Sequence, residues 1–184
     1  MLYTTIESPL GDLLLHGDGV RLHGLAIQAG RQPGTVEPSW QRDPTAFTDV
    51  ERQLLEYFSG ERASFELELE PRGTPFQRQV WQALREIVYG ETMPYGELAA
   101  RIGRPSAARA VGAANGANPI AVIIPCHRLI GANGALTGYA GGIERKQTLL
   151  DLEARSYAAA GRWRRQVRLA IEPRTSVGTI VSAR

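Results

Sequence analysis

A single cysteine, a single lysine and no long apolar run mark this 184-residue chain by what it lacks. One cysteine, Cys126, excludes an internal disulfide. No apolar span is long enough to cross a bilayer, and the opening residues Met1 to Ile6 have neither the basic nor the apolar region of a secretion signal, so the expectation is a soluble, cytoplasmic protein. Charge of one sign is also missing: 21 basic against 19 acidic residues leave a net +2, too little to announce nucleic-acid binding by itself. The basic residues are nearly all arginine, with Lys146 the one lysine. What is present is 43% apolar residues, enough to bury the core of one domain or two small ones.

The first 72 residues read as an α/β domain. Tyr3 to Ile6, Asp12 to His16 and Val20 to Ile27 are short strands separated by the turns Ser8-Pro9-Leu10-Gly11 and Gly17-Asp18-Gly19, an antiparallel meander. After a polar loop, Asp43-Pro44 supplies an N-cap and an N1 proline for a helix carrying Phe47, Val50, Leu54, Tyr57 and Phe58, stopped near Ser59-Gly60. Phe65 to Glu70 alternates apolar and acidic residues, which predicts a strand with one wet face. Thr74-Pro75 then opens a helix whose apolar residues run from Phe76 through Val80, Trp81, Leu84 and Ile87 to Val88. From 73 to 155 the pattern is mostly helical, Ile120 to Ile124 being the one stretch with strand character, and 156–184 is a basic C-terminal extension carrying Arg162, Arg164, Arg165 and Arg168. The expected fold class is therefore α+β: a small N-terminal antiparallel sheet with one helix, then a mostly helical domain.

Within the second half, Tyr95 to Ile102, the turn Gly103-Arg104-Pro105 and a helix from Ala107 capped by Ser106 outline a helix-turn-helix. The second helix is almost all Ala and Gly, with Arg109 its one large side chain near the start. Residues that read base edges are missing from it, so it suits close approach to DNA without sequence readout, with one arginine able to intrude into the stack.

Cys126 follows an apolar run and precedes His127 and Arg128. Buried packing is the ordinary fate of a free cysteine, but Pro-Cys-His-Arg is an odd way to fill a core. A thiol with a pKa near ~8.5 needs a base to become a nucleophile. His127 is adjacent, and because neighbouring side chains seldom face each other, contact through a water or a backbone bend is expected. On the last helix, Ile143 to about Ala154, spacing puts Ile143, Leu149, Leu150 and Leu152 on the buried side with Lys146 and Glu153 in the middle of it. A carboxylate aimed inward needs a partner: either the His127 ring, completing a base-and-orienter arrangement, or an arginine in a helix-end ion pair.

Pro125-Cys126-His127-Arg128, followed by Gly138-Tyr139-Ala140-Gly141-Gly142 and Leu149-Leu150-Asp151-Leu152-Glu153, and preceded by Ala107 to Gly112 and Asn118-Pro119, resembles the O6-alkylguanine-DNA alkyltransferases, also called methylated-DNA-protein-cysteine methyltransferases. The resemblance spans roughly Thr74 to Glu153 and is weaker before that. It implies repair of double-stranded DNA by irreversible, single-turnover transfer of an alkyl group from O6-alkylguanine, and from O4-alkylthymine, to Cys126. By the same resemblance His127 is the base acting through water, Glu153 its orienter, Tyr95 a proton donor to the departing base, and Asn118 a brace for the Cys126 segment. Tyr139, Ala140, Gly141 and Leu129 would line the substrate pocket, with Lys146 near its mouth. Arg109 would fill the hole left by the extruded nucleotide, beside Ser106, Ala110, Gly112 and Ala113 on the DNA face. Several relatives carry serine where this chain has Ala140, so a hydroxyl contact there is absent. Some carry zinc in the N-terminal domain; this one has no cysteine, and His16 and His23 alone do not make a site, so no metal and no cofactor are expected. The implied protein is a monomer with no membrane partner, its cooperativity along DNA left open.

Two other functions compete with transfer: a sensor that holds alkylated guanine without reacting, which Cys126 argues against, and a thiol hydrolase built on Cys126, His127 and Glu153, which leaves the Ala-rich helix and Arg109 unexplained.

Overall fold

The computed structural model describes the backbone of residues 1–171 and the side chains of residues 1–158. Strands β1 (Leu2–Ile6), β2 (Leu13–Gly17) and β3 (Leu22–Ile27) form the expected antiparallel meander. The first turn is set by Ser8, whose hydroxyl donates to the Gly11 carbonyl at 2.6 Å and accepts from the Leu10 amide, while Gly11 takes φ +91°, where a side chain would be strained. A two-residue strand, β4 (Gln41–Arg42), pairs parallel with β1, giving the order β3-β2-β1-β4 and a parallel edge to an otherwise antiparallel sheet.

Helix α1 (Thr48–Ser59) is led in by a 3-10 turn at Pro44–Phe47, where the Asp43 carboxylate accepts from the Thr45 and Ala46 amides. It ends at Gly60, φ +82°. Its apolar side, Val50, Leu54 and Tyr57, joins Leu13, Leu15, Leu25 and Ile27 of the sheet in one core. Residues 65–70 do not form the expected strand. The segment keeps its alternation of exposure, but only Leu69 bridges, to Leu22, because the Leu22 amide and carbonyl are engaged by Glu68 and Glu70 and no further partner is in register.

Helix α2 (Pro75–Leu84) opens with a capping box between Thr74 and Gln77. It stops short of Val88, which lies on the surface at 53% exposure. Strand β5 (Met93–Pro94) precedes helix α3 (Tyr95–Arg101); a turn through Gly103, φ +73°, leads to helix α4 (Ala108–Gly116). The helix-turn-helix outline holds, but Ser106 does not cap α4: the N-cap is Ala107, with no side-chain hydrogen bond, because α4 begins one residue later than its Ala run implies. The Trp81 indole donates to the Ala114 carbonyl at 2.8 Å and ties α4 to α2.

Residues 121–124 turn rather than extend, and Val122 sits at φ +69°, a strained position for a β-branched residue. The second strand of this half is instead β6 (Leu129–Ile130), parallel to β5. Helix α5 (Ile143–Ile171) extends well beyond the anticipated end near Ala154, so the four arginines of the expected basic tail lie on it, their side chains outside the described residues, as is all of 172–184. Ile143, expected to be buried, is 38% exposed at its first turn. No helix among the described residues is long and apolar enough to cross a membrane.

The two halves are stitched by backbone. The Leu25 amide of β3 donates to the Pro119 carbonyl at 2.9 Å, and the Ala121 amide to the Leu25 carbonyl at 3.0 Å. The chain leading to Cys126 is thereby anchored on the N-terminal sheet.

Candidate active site

Two asparagines hold the segment that carries the cysteine. Asn118 accepts from the Ile120 amide at 3.1 Å and donates to the Ile124 carbonyl at 2.8 Å. Asn115, on the buried side of α4, donates to the Cys126 carbonyl at 3.2 Å. Sequence reasoning missed Asn115. The one signal for it was its place beside Val111 and Ala114 on the inner stripe of a helix otherwise made of small residues.

Cys126, His127 and Arg128 occupy a single 3-10 turn after Pro125, all three buried. That turn separates the adjacent side chains: no direct hydrogen bond joins the Cys126 thiol to the His127 ring, while His127 and Arg128 both reach Glu153 on α5. His127 Nε2 lies 2.9 Å from Glu153 Oε1; Arg128 Nη2 donates to Oε1 at 2.9 Å, and its Nε donates to Oε2 at 3.0 Å. The Tyr57 hydroxyl donates to Oε1 at 2.6 Å and the Gly90 amide to Oε2 at 3.1 Å. Glu153 therefore serves both partners weighed for it, the imidazole and an arginine. Tyr57 and Arg128 went unassigned in the sequence because nothing local links positions 57, 128 and 153.

The electrostatics follow from burial and this donor shell. Burial would raise the Glu153 carboxyl, but the hydrogen bonds from His127 and Arg128 and the Arg128 charge prevail and hold it at about 2, so it is ionised. Burial lowers the His127 ring below its ordinary value, more than Glu153 restores, so the ring is neutral near pH 7. A carboxylate only accepts, hence the proton of the neutral ring sits on Nε2, and Nδ1 carries a lone pair. Nδ1 is buried and has no hydrogen-bond partner among the described residues. Burial also pushes the Cys126 thiol up, against opposing pulls from Asn118 and Lys146, so the resting sulfur is protonated and must be relieved of its proton as it reacts.

Tyr95, half-buried at the start of α3, donates to the Thr137 carbonyl at 3.1 Å. Lys146 was expected near a pocket mouth; instead it is fully buried, its ammonium donating to the carbonyls of Leu129 and Thr137 and lying 6.0 Å from the Tyr95 ring centre. Desolvation lowers the ammonium to about 8. Leu129 is buried and meets Lys146 through its backbone. Tyr139 is buried, its hydroxyl without a hydrogen-bond partner among the described residues. Its ring closes on Gly141, where a Cβ would come within 2.6 Å of it, so this loop demands glycine. Ala140 accepts the Arg31 amide at 2.8 Å, tying the loop to the N-terminal half.

On α4, Arg109, Ala110 and Ala113 are exposed together with Ser106 before it, while Gly112 is half-buried beneath the Tyr95 ring. In the N-terminal half, Asp18, His23 and Glu70 bring donor atoms within 4.8 Å of one another. Arg21 already bonds both carboxylates, at 2.8 and 3.0 Å, so the group is a surface ion-pair cluster whose cation the chain itself supplies.

Residues 75–155 match the family model for the DNA-binding domain of 6-O-methylguanine DNA methyltransferase, and residues 1–71 match the one for its ribonuclease-like domain. Methylated-DNA–protein-cysteine methyltransferases from Methanosarcina acetivorans and Mycobacterium bovis are 52% and 56% identical to this chain, covering 83% and 82% of it and 98% and 91% of their own lengths. The crystal structure of Mycobacterium tuberculosis OGT in complex with DNA is similar at a TM-score of 0.80 with 53% identity, over 85% of this chain and 94% of that one.

Proposed function

The chain belongs to the methylated-DNA–protein-cysteine methyltransferases, which repair alkylated DNA by moving the alkyl group onto a protein cysteine, and we propose that its acceptor is Cys126, activated by His127 and Glu153. The observation that carries this reading is the His127 ring, fixed by Glu153 at Nε2 with an unpartnered buried lone pair at Nδ1 in the residue next to the thiol.

Nδ1 takes the thiol proton through a water, the sulfur attacks the alkyl carbon, an S–C bond forms and the C–O6 bond breaks. The electron pair left on the guanine ring is neutralised by a proton from Tyr95, whose hydroxyl turns from Thr137 toward the base. Glu153 meanwhile stabilises the imidazolium. The product is a thioether, which no group in the site can hydrolyse, so each molecule acts once.

The substrate is double-stranded DNA bearing O6-alkylguanine or O4-alkylthymine, flipped out at a cost of a few kcal/mol that alkylation lowers. Arg109 enters the vacated space, and Ser106, Ala110, Gly112 and Ala113 let α4 approach the groove. Tyr139, Ala140, Gly141 and Leu129 wall the base pocket. Lys146 supports it by gathering the carbonyls of Leu129 and Thr137. The protein works as a cytoplasmic monomer.

Incubation with a duplex containing O6-methylguanine, followed by intact and peptide mass measurement, tests the reading. One methyl on the Cys126 peptide and no further gain is expected. An unchanged mass with bound DNA would mean a sensor; turnover without mass gain would mean a hydrolase.

A further inference from the structure

Tyr57 belongs to α1, in the half of the chain that does not contain Cys126, yet its hydroxyl ends on the carboxylate that orients the base. The ring is fully buried and packs against Phe65, Phe58 and Tyr89, at centre distances of 5.2, 5.5 and 5.9 Å. Core packing accounts for the ring but not for the hydroxyl, since a phenylalanine would fill that position without bringing a polar atom to a buried ion cluster. Burial and the Glu153 charge push the phenol well above 10, so it stays protonated and donates. It does so to Oε1, the oxygen that His127 Nε2 and Arg128 Nη2 also use.

Two physical consequences follow. A carboxylate oxygen shared among donors from three residues offers each less negative charge than it would offer one, so every added donor weakens the pull that stabilises a protonated His127. A short bond from a ring wedged among three aromatics also fixes where Oε1 stands, and with it the direction of the Nε2–H bond. The other charged or titratable groups around this centre are Arg128 on the same turn, Lys146 on α5, Cys126 itself, and the phenols of Tyr89 and Tyr139.

We propose that Tyr57 is a positioning residue for alkyl transfer, through which the N-terminal half sets the orientation and basicity of His127. The proposal rests on His127 being the base.

The test is the single-turnover rate of methyl transfer to Cys126 from a duplex containing O6-methylguanine, measured from pH 5 to 9 for the wild type and Tyr57→Phe. Removing the hydroxyl concentrates the Glu153 charge on His127. The acid limb of the profile should move up by roughly half a pH unit or more, with a several-fold lower plateau as the ring loses its fixed direction. Leu54→Ala, which loosens α1 without touching Glu153, should leave the limb where it is. Should Tyr57→Phe fail to fold, 3-fluorotyrosine at position 57, a stronger donor of nearly the same shape, should move the limb the other way. A limb that coincides with wild type in the variant that folds, or that moves equally in Leu54→Ala, overturns the role of Tyr57 alone. A wild-type protein that gains no methyl on Cys126 overturns the base assignment beneath it.

Discussion

Arg128 grips Glu153 with both edges of the interaction satisfied, Nη2 on Oε1 at 2.9 Å and Nε on Oε2 at 3.0 Å, while its remaining nitrogen donates to the Ile87 carbonyl at 2.6 Å. The pair lies inside the protein, where a lone ion is intolerable. Glu153→Gln keeps the shape and removes the charge, leaving Arg128 buried without a counterion. A loss of about 3–5 kcal/mol is expected, read by urea unfolding, together with a transfer rate reduced at least a hundredfold at a temperature where the variant is folded. A Glu153→Gln protein as stable and as fast as wild type would show that this carboxylate neither anchors the turn nor orients the base.

The pH dependence of stability has a defined sign. Glu153 titrates at about 2 when folded against an ordinary 4.5, so the stability it contributes is complete above 4.5 and is lost as pH falls from there toward 2. His127 is also lowered by folding. Below 6.5 the unfolded chain takes up its proton first, which again favours unfolding. Melting temperature should therefore begin to fall below about pH 6.5 and steepen below 4.5; His127→Gln should shrink the first part of the decline, leaving the share of His16, which burial also lowers. A flat profile from pH 7 to 4 would contradict both assignments.

Much of this architecture is written locally. The meander, the Asp43 cap of the 3-10 turn before α1, the capping box of α2, the helix pair and the inward face of α5 each follow from turn chemistry or from apolar spacing, and Glu153 was legible because a carboxylate at that spacing had to find a partner. Tyr57 was legible only as core, since periodicity reports burial and is silent about a hydroxyl. The burial of Lys146 was illegible for a related reason: a cation is expected to reach water, and the two carbonyls that hold it come from segments whose position no local pattern records. The segment 65–70 alternates like a strand, but strand formation needs a partner in register, and only Leu22 offers one.

Arg109 is exposed and makes no hydrogen bond or ion pair among the described residues. Arg109→Ala should leave the melting temperature within about 0.5 kcal/mol equivalent of wild type and slow repair of duplex DNA tenfold or more, while reaction with free O6-benzylguanine stays near the wild-type rate. Equal losses on both substrates would remove its part in flipping.

Lys146→Met retains the apolar stem and deletes the donor to Leu129 and Thr137. The buried Leu129 carbonyl loses this donor, for a loss of about 1–3 kcal/mol, offset in part because no cation then needs burying, while the Thr137 carbonyl keeps the Tyr95 hydroxyl. Transfer should slow on both free base and duplex as the loop carrying Tyr139 loosens, and hydrogen exchange should rise across 136–142. Unchanged exchange there would mean that the lysine does not hold this loop.

Proteolytic nicking or gene fission at the junction near residue 72 would not yield two independent parts. The bonds between Leu25 and residues 119–121 make the sheet a bench on which the reactive loop is clamped, and Val122 sits in its contorted backbone state right after that clamp. A lone C-terminal fragment would let this kink relax and carry the thiol away from its imidazole. Mixing the separate pieces should recover alkyl acceptance only to the extent that they dock, so the sheet's bench, which never touches the sulfur, decides whether the sulfur works.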